Sequence, residues 1–93
     1  MALVGARIVT MRRDKLDEVI EEGVIVIDGN RIVAVGPRSG AGAPVVAAGT
    51  PVIDVAGKTI LPGLVDAHWH GSQGSDRLIP EQNWVNLANL AYG

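Results

Sequence analysis

Two runs of β-branched residues, Val24-Ile25-Val26-Ile27 and Ile32-Val33-Ala34-Val35, flank Asp28-Gly29-Asn30 and constrain this chain more than any other feature. Asp-Gly between such runs reads as a hairpin, because Gly29 and Asn30 both tolerate the positive φ that tight hairpin turns demand. Gly36-Pro37 then stops the second strand. Residues 3–11, Leu-Val-Gly-Ala-Arg-Ile-Val-Thr-Met, read as a first strand. Residues 51–55 and 59–61 repeat the arrangement, two short apolar runs joined by Ala56-Gly57-Lys58.

Composition agrees with a strand-based reading. The apolar content comes from Val, Ile, Leu and Ala, with no Phe, one Tyr and two Trp, and small β-branched pieces favour strands. Twelve glycines and five prolines imply many turns. A length of 93 residues allows one domain and argues against a second independent one.

Between the strand runs the reading is less uniform. In residues 12–22, Leu16, Val19 and Ile20 fall at i, i+3 and i+4, which suits a short amphipathic helix. Gly23 and the flanking strands suit a hairpin connection equally, and an exposed connection is the expectation. Residues 38–50 are Gly, Ala, Ser and Pro with few large side chains and read as a loop or linker. After Pro62-Gly63, residues 64–68 read as a buried strand whose far end becomes polar, and residues 71–79 as a polar loop. Trp84, Leu87, Ala88 and Ala91 then fall at i, i+3, i+4 and i+7, an apolar stripe that predicts a helix over 80–91. Pro80 and Glu81 suit its first turn and Gly93 the position past its end.

Several function classes are set aside by composition. A formal charge of −2 does not suggest nucleic acid, since phosphate binding needs clustered Lys and Arg. With no cysteine, disulfides and thiolate zinc sites are excluded. The first apolar run precedes Arg12 and Arg13, the reverse of a secretory signal. No apolar run approaches the ~18 residues of a membrane span. No membrane partner and a cytoplasmic setting are therefore expected.

The two histidines, His68 and His70, lie one residue apart in Leu61-Pro62-Gly63-Leu64-Val65-Asp66-Ala67-His68-Trp69-His70-Gly71. On an extended strand Asp66, His68 and His70 share one face, and Ala67 and Trp69 the other. Two adjacent imidazoles suit a metal, although an isolated His-X-His pair is more often surface-exposed or hydrogen-bonded. A hydrolytic zinc site takes three or more protein ligands and a water, and Asp66 and Asp76 are the nearby further donors. Asp28 and Asp54 sit at turns or strand ends, where Asp commonly caps backbone groups. Trp69 and Trp84 read as packing residues. Residues 36–42 lack the Lys-Ser/Thr ending of a phosphate loop, and that reading is rejected.

The order of segments adds what spacing does not. Asp28-Gly29-Asn30-Arg31-Ile32-Val33-Ala34-Val35-Gly36, then Val52-Ile53-Asp54-Val55-Ala56-Gly57-Lys58, then Leu61-Pro62-Gly63-Leu64-Val65-Asp66-Ala67-His68-Trp69-His70 resembles the amino-terminal part of the metal-dependent amidohydrolase superfamily. Within it, the chain is most similar to the imidazolonepropionase and prolidase-like group. The resemblance covers nearly the whole chain.

That resemblance implies a mainly β fold: a small β-sandwich-like segment over residues 1–61, then the first β/α unit of an incomplete (β/α)8 barrel over residues 62–93. It implies that His68 and His70 are the first two metal ligands, at the carboxyl end of the first barrel strand, where barrel enzymes place their chemistry. The implied cofactor is a divalent metal, zinc in most members, and the implied partner is a small amide or dipeptide-like substrate attacked by activated water at a carbon–nitrogen bond. Members run to several hundred residues and take their remaining ligands from later barrel strands, so the resemblance implies a fragment that is catalytically silent alone. A strand built for burial in a barrel, exposed once the barrel is missing, is expected to bring self-association of the fragment or disorder beyond about Pro62. The competing expectation is a non-catalytic β-rich binding or structural module whose histidines are incidental.

Overall fold

The computed structural model describes residues 1–65, 67 and 84–91. The chain divides into two compact units, Met1–Pro62 and Gly63–Gly93.

The first unit is mainly β, as its composition requires. Strands β1 (Ala2–Val9), β2 (Val19–Asp28), β3 (Arg31–Pro37), β4 (Val52–Asp54) and β5 (Thr59–Ile60) form one open sheet in the order β3-β2-β1-β4, with β5 also paired to β1. Strand β1 runs antiparallel to β2, from Ala2 opposite Val26 to Val9 opposite Val19. Its other edge is shared. Ala2, Leu3 and Val4 pair in parallel with Val52, Ile53 and Asp54, whereas Arg7 and Ile8 pair with Thr59 and Ile60.

The change of partner happens at Gly5. Its φ is +94°, and the ladder with β2 slips between Val4 and Ala6. This is a β-bulge of the kind glycine tolerates, because it has no Cβ to clash at positive φ. The turn at residues 55–58 lies against it. Val55 N–H donates to the Val4 carbonyl at 2.9 Å, and Arg7 N–H donates to the Lys58 carbonyl at 2.9 Å. A Cβ added at Gly5 would stand 3.3 Å from the Ala56 Cβ.

The β2–β3 hairpin closes through Asp28 opposite Arg31. Gly29 has φ +56°, while Asn30 keeps an ordinary negative φ. Positive φ at the first central residue alone matches a type II′ turn, so one of the two glycine-like positions expected from the sequence is used.

Residues 12–22 form neither a helix nor a wholly exposed connection. Val9 pairs with Val19 and Ile8 with Ile20, which extends β2 by five residues beyond the expected start at Val24. The helical spacing of Leu16, Val19 and Ile20 loses because ladder bonds to β1 satisfy more backbone than one isolated helical turn could. Successive turns fill the remainder: Lys15 N–H donates to the Arg12 carbonyl at 3.0 Å and Glu18 N–H to the Lys15 carbonyl at 3.1 Å. Met11 enters this segment in the left-handed region, at φ 49°.

Charged side chains clasp these turns. Arg12 binds Asp14 through both Nε, at 3.2 Å, and Nη2, at 2.7 Å. Glu18 accepts from the Thr10 hydroxyl at 3.0 Å and lies 3.6 Å from Arg12 Nη1 and 3.7 Å from Lys15 Nζ. The hydrogen bond from Arg12 holds the Asp14 carboxyl below its ordinary pKa, and Asp14 in turn raises that of Arg12.

Strand β3 leads to β4 across the sheet. The two lie at opposite edges, so residues 38–51 must pass β2 and β1, the long crossover that parallel strands require. Gly36 marks the crossing. A Cβ there would come within 2.2 Å of the Gly42 carbonyl oxygen and 2.9 Å of the Pro44 Cδ. Gly36 pairs with Val24, which shares its face, and Val24 is buried, as is Ala2 on the same face. The opposite face carries the core of Ala6, Ile8 and Ile25, with Leu3, Ile20, Ile27, Val55 and Ile60 packed around it. Gly23 belongs to this face, since a Cβ there would lie 2.1 Å from the Ile8 Cδ1.

In the second unit, α1 (Trp84–Ala91) falls inside the helix expected over 80–91; residues 80–83 lie outside the described residues. Ala88 is half-buried, while Leu87, Leu90 and Ala91 are exposed. Of the strand expected at 64–68, Leu64 and Val65 join no ladder and are 77% and 89% exposed. Among the described residues, no helix is long and apolar enough to cross a membrane.

Gly36→Ala should destabilise the sheet unit by about 1–3 kcal/mol in denaturant unfolding, because the clash is with backbone and the crossover must shift. Val45→Ala, in the same segment but 90% exposed, should stay within about 0.5 kcal/mol. Asp14→Asn should lower stability at neutral pH and low salt. Because the folded carboxyl has the lower pKa, that difference is present above the ordinary carboxylate value of ~3.9 and vanishes as pH falls through the folded value. Added salt should shrink it, since the pair is exposed.

Candidate metal centre

The approach to the histidine pair begins at the edge of the sheet. Ile60 is the last residue of β5, paired with Ile8. Two residues later Pro62 lacks an amide hydrogen and cannot extend a ladder. Leu61 is exposed. Asp66, His68, Trp69, His70 and Asp76 lie outside the described residues, so the structure neither joins nor separates the expected ligands.

The acidic groups of the sheet unit are placed. Asp54 Oδ1 accepts the Ala56 N–H at 2.9 Å and so caps the turn that lies over Gly5. That is the backbone role expected for it. Asp28 ends β2 at the hairpin. Asp14 and Glu18 are engaged by Arg12, and Glu21 by Arg7 Nε at 3.3 Å. Among the described residues, no group of three or more His, Cys, Asp or Glu side chains could hold a metal. Gly36 and Pro37 end β3, and Gly40, Gly42 and Pro44 belong to the crossover.

The sheet unit also holds a feature that sequence reasoning missed. An apolar groove of about 550 Å³ is walled by Ile8, Ile20, Ile25, Ile32, Val35 and Ile60, and its lining extends to Arg12 and Glu18 and to Gly36, Pro37 and Gly42 at the start of the crossover. The signal was present in part, because Ile8, Ile25 and Ile60 stand in strand runs. Their convergence depends on pairings between segments up to about 50 residues apart, which no local pattern encodes.

Comparison with known proteins supplies what the geometry leaves open. No family model matches the chain, and no solved structure matches it. Curated imidazolonepropionases do. The enzyme of Roseobacter denitrificans is 39% identical over 77 residues, covering 83% of this chain and 19% of its own length. That of Erwinia tasmaniensis is 34% identical over 90 residues, covering 94% and 21%. That of a Bradyrhizobium species is 44% identical over 89 residues, covering 95% and 21%. The chain thus spans about a fifth of the length of the curated relatives it matches. Over most of its length the chain matches an amino-terminal segment of imidazolonepropionase, an amidohydrolase-superfamily enzyme, from several bacteria.

Proposed function

We propose that this chain contributes His68 and His70 as the first two metal ligands of an enzyme that hydrolyses a carbon–nitrogen bond in a small cyclic amide. The observation that carries the reading is the similarity to imidazolonepropionases over 83–95% of the chain, in a sequence whose only two histidines stand one residue apart. The substrate class follows the name of those relatives, an imidazolone carrying a propionate arm.

The donor chemistry fits a divalent ion, with zinc the best match. Neutral imidazole nitrogens suit zinc, and alternation on an extended segment would bring both to one face. In the loaded enzyme the ion supplies hydroxide near neutral pH, by lowering the pKa of water to about 7. The role of His68 and His70 is to hold that charge in place, with each ring's second nitrogen available to a neighbour that fixes its orientation. Two imidazoles are fewer than the three or more ligands of a hydrolytic site. The others belong to sequence beyond this chain, in keeping with relatives of which it covers about a fifth. A cytoplasmic enzyme is the setting that goes with this reading. The exposure of Leu64 and Val65, 77% and 89%, supports self-association of the chain when it is alone.

Zinc titration of the chain, followed by the imidazole resonances, tests the assignment. Both rings should respond, with weak affinity, and the response should be lost in His68→Ala and His70→Ala. No turnover of a cyclic amide should accompany it. Tight stoichiometric zinc together with turnover would sink the claim that the site is incomplete. A zinc response unchanged in the double variant would favour the β-rich module with incidental histidines.

A further inference from the structure

The β2–β3 turn joins two features that do not depend on the metal reading. Asp28-Gly29 is the only aspartate or asparagine in the chain followed by glycine. The structure puts that dipeptide at the tip of a two-residue hairpin turn, with Asp28, Gly29 and Asn30 all exposed. Gly29 is the first central residue of the turn, at φ +56°. Its amide lies outside the ladder, which ends at the Asp28–Arg31 pair. Apart from Asp28 and Asn30, no residue comes within 4 Å of where a Gly29 Cβ would stand, so no distant segment packs over the turn.

Other described aspartates differ. Asp14 is held by two hydrogen bonds from Arg12, and Asp54 accepts a hydrogen bond from Ala56 N–H. Asp14, Asp17 and Asp54 are followed by Lys15, Glu18 and Val55, whose side chains crowd the backbone nitrogen that would have to react. Among the described residues, no hydrogen bond or ion pair engages the Asp28 carboxylate.

We propose that Asp28 is a site of spontaneous backbone rearrangement to isoaspartate. The Gly29 backbone nitrogen attacks Cγ of Asp28, forming a nitrogen–Cγ bond and a five-membered imide. The carboxyl reacts in its protonated form, and the amide proton and the carboxyl hydroxyl leave together as water; the carboxylate proton taken up is returned on hydrolysis of the imide. One water then adds at the former backbone carbonyl, breaking its bond to nitrogen, and the chain continues through Cγ. The water consumed equals the water released, and no co-reactant is needed. The product carries one extra backbone carbon between Ile27 and Gly29 and a carboxylate on the old main-chain carbon. In a two-residue turn that addition is incompatible with the Asp28–Arg31 and Ile27–Ile32 register. Rearrangement therefore loosens β3, which supplies Ile32 and Val35 to the apolar groove.

The test is incubation of the full chain at neutral pH and physiological temperature in oxygen-18 water, followed by peptide mapping and enzymatic methylation of isoaspartyl groups. Isoaspartate carrying the heavy oxygen should accumulate at position 28 and stay at background at Asp14, Asp17 and Asp54. The signal should be lost in Asp28→Glu, which keeps the charge but would need a six-membered ring. A linear peptide of residues 25–33 serves as the reference for chemistry without the fold. Position 28 remaining ordinary aspartate while that peptide rearranges would overturn the proposal, as would accumulation at Asp14, Asp17 or Asp54 at the same rate.

Discussion

The sheet unit depends on β1 being paired along both edges. An apolar strand exposes a row of backbone donors and acceptors that must be satisfied if it is to be buried. Here β2 pairs along one edge from Ala2 to Val9, with two register shifts, while β4 and β5 divide the other. The division works because Gly5 bulges at positive φ and the turn at 55–58 supplies Val55 N–H and the Lys58 carbonyl on either side of it. Ala6 and Ile8 are buried on the strand so completed, and with Ile25 they form the core.

From this pairing the two faces of the sheet acquire different characters. One is crossed by residues 38–51, because β3 and β4 stand at opposite edges and run parallel. Small residues make that crossing possible: a side chain at Gly36 would occupy the place of the Gly42 carbonyl. The other face keeps its large isoleucines, which wall an apolar groove that Gly36 and Gly42 also border. Clustered charges around Arg12 and Glu18 fold the β1–β2 connection beside it without any buried polar group.

The family relationship and the sheet meet at Pro62. Everything up to it is a self-contained ladder, and the motif that follows carries the only histidines. Similarity to imidazolonepropionases extends over both parts. The chemistry proposed for His68 and His70 draws on that relationship and on the donor properties of imidazole.

Local sequence determined the strand character, the hairpin at Asp28-Gly29, the stop at Gly36-Pro37 and the helix containing Trp84–Ala91. Each follows from a short-range cause: β-branched side chains, positive φ at glycine, the missing amide of proline, or 3.6-residue spacing. The histidine pair was legible in the same way, as a spacing, and the order of segments around it indicated the superfamily. Tertiary structure alone decided that Val19 and Ile20 extend β2 instead of starting a helix, that Gly5 hands β1 from β4 to β5, and that residues 38–51 cross the sheet. Those outcomes rest on hydrogen bonds and close contacts between distant segments. Their energies depend on which partner arrives, and nothing within a short window of sequence carries that information.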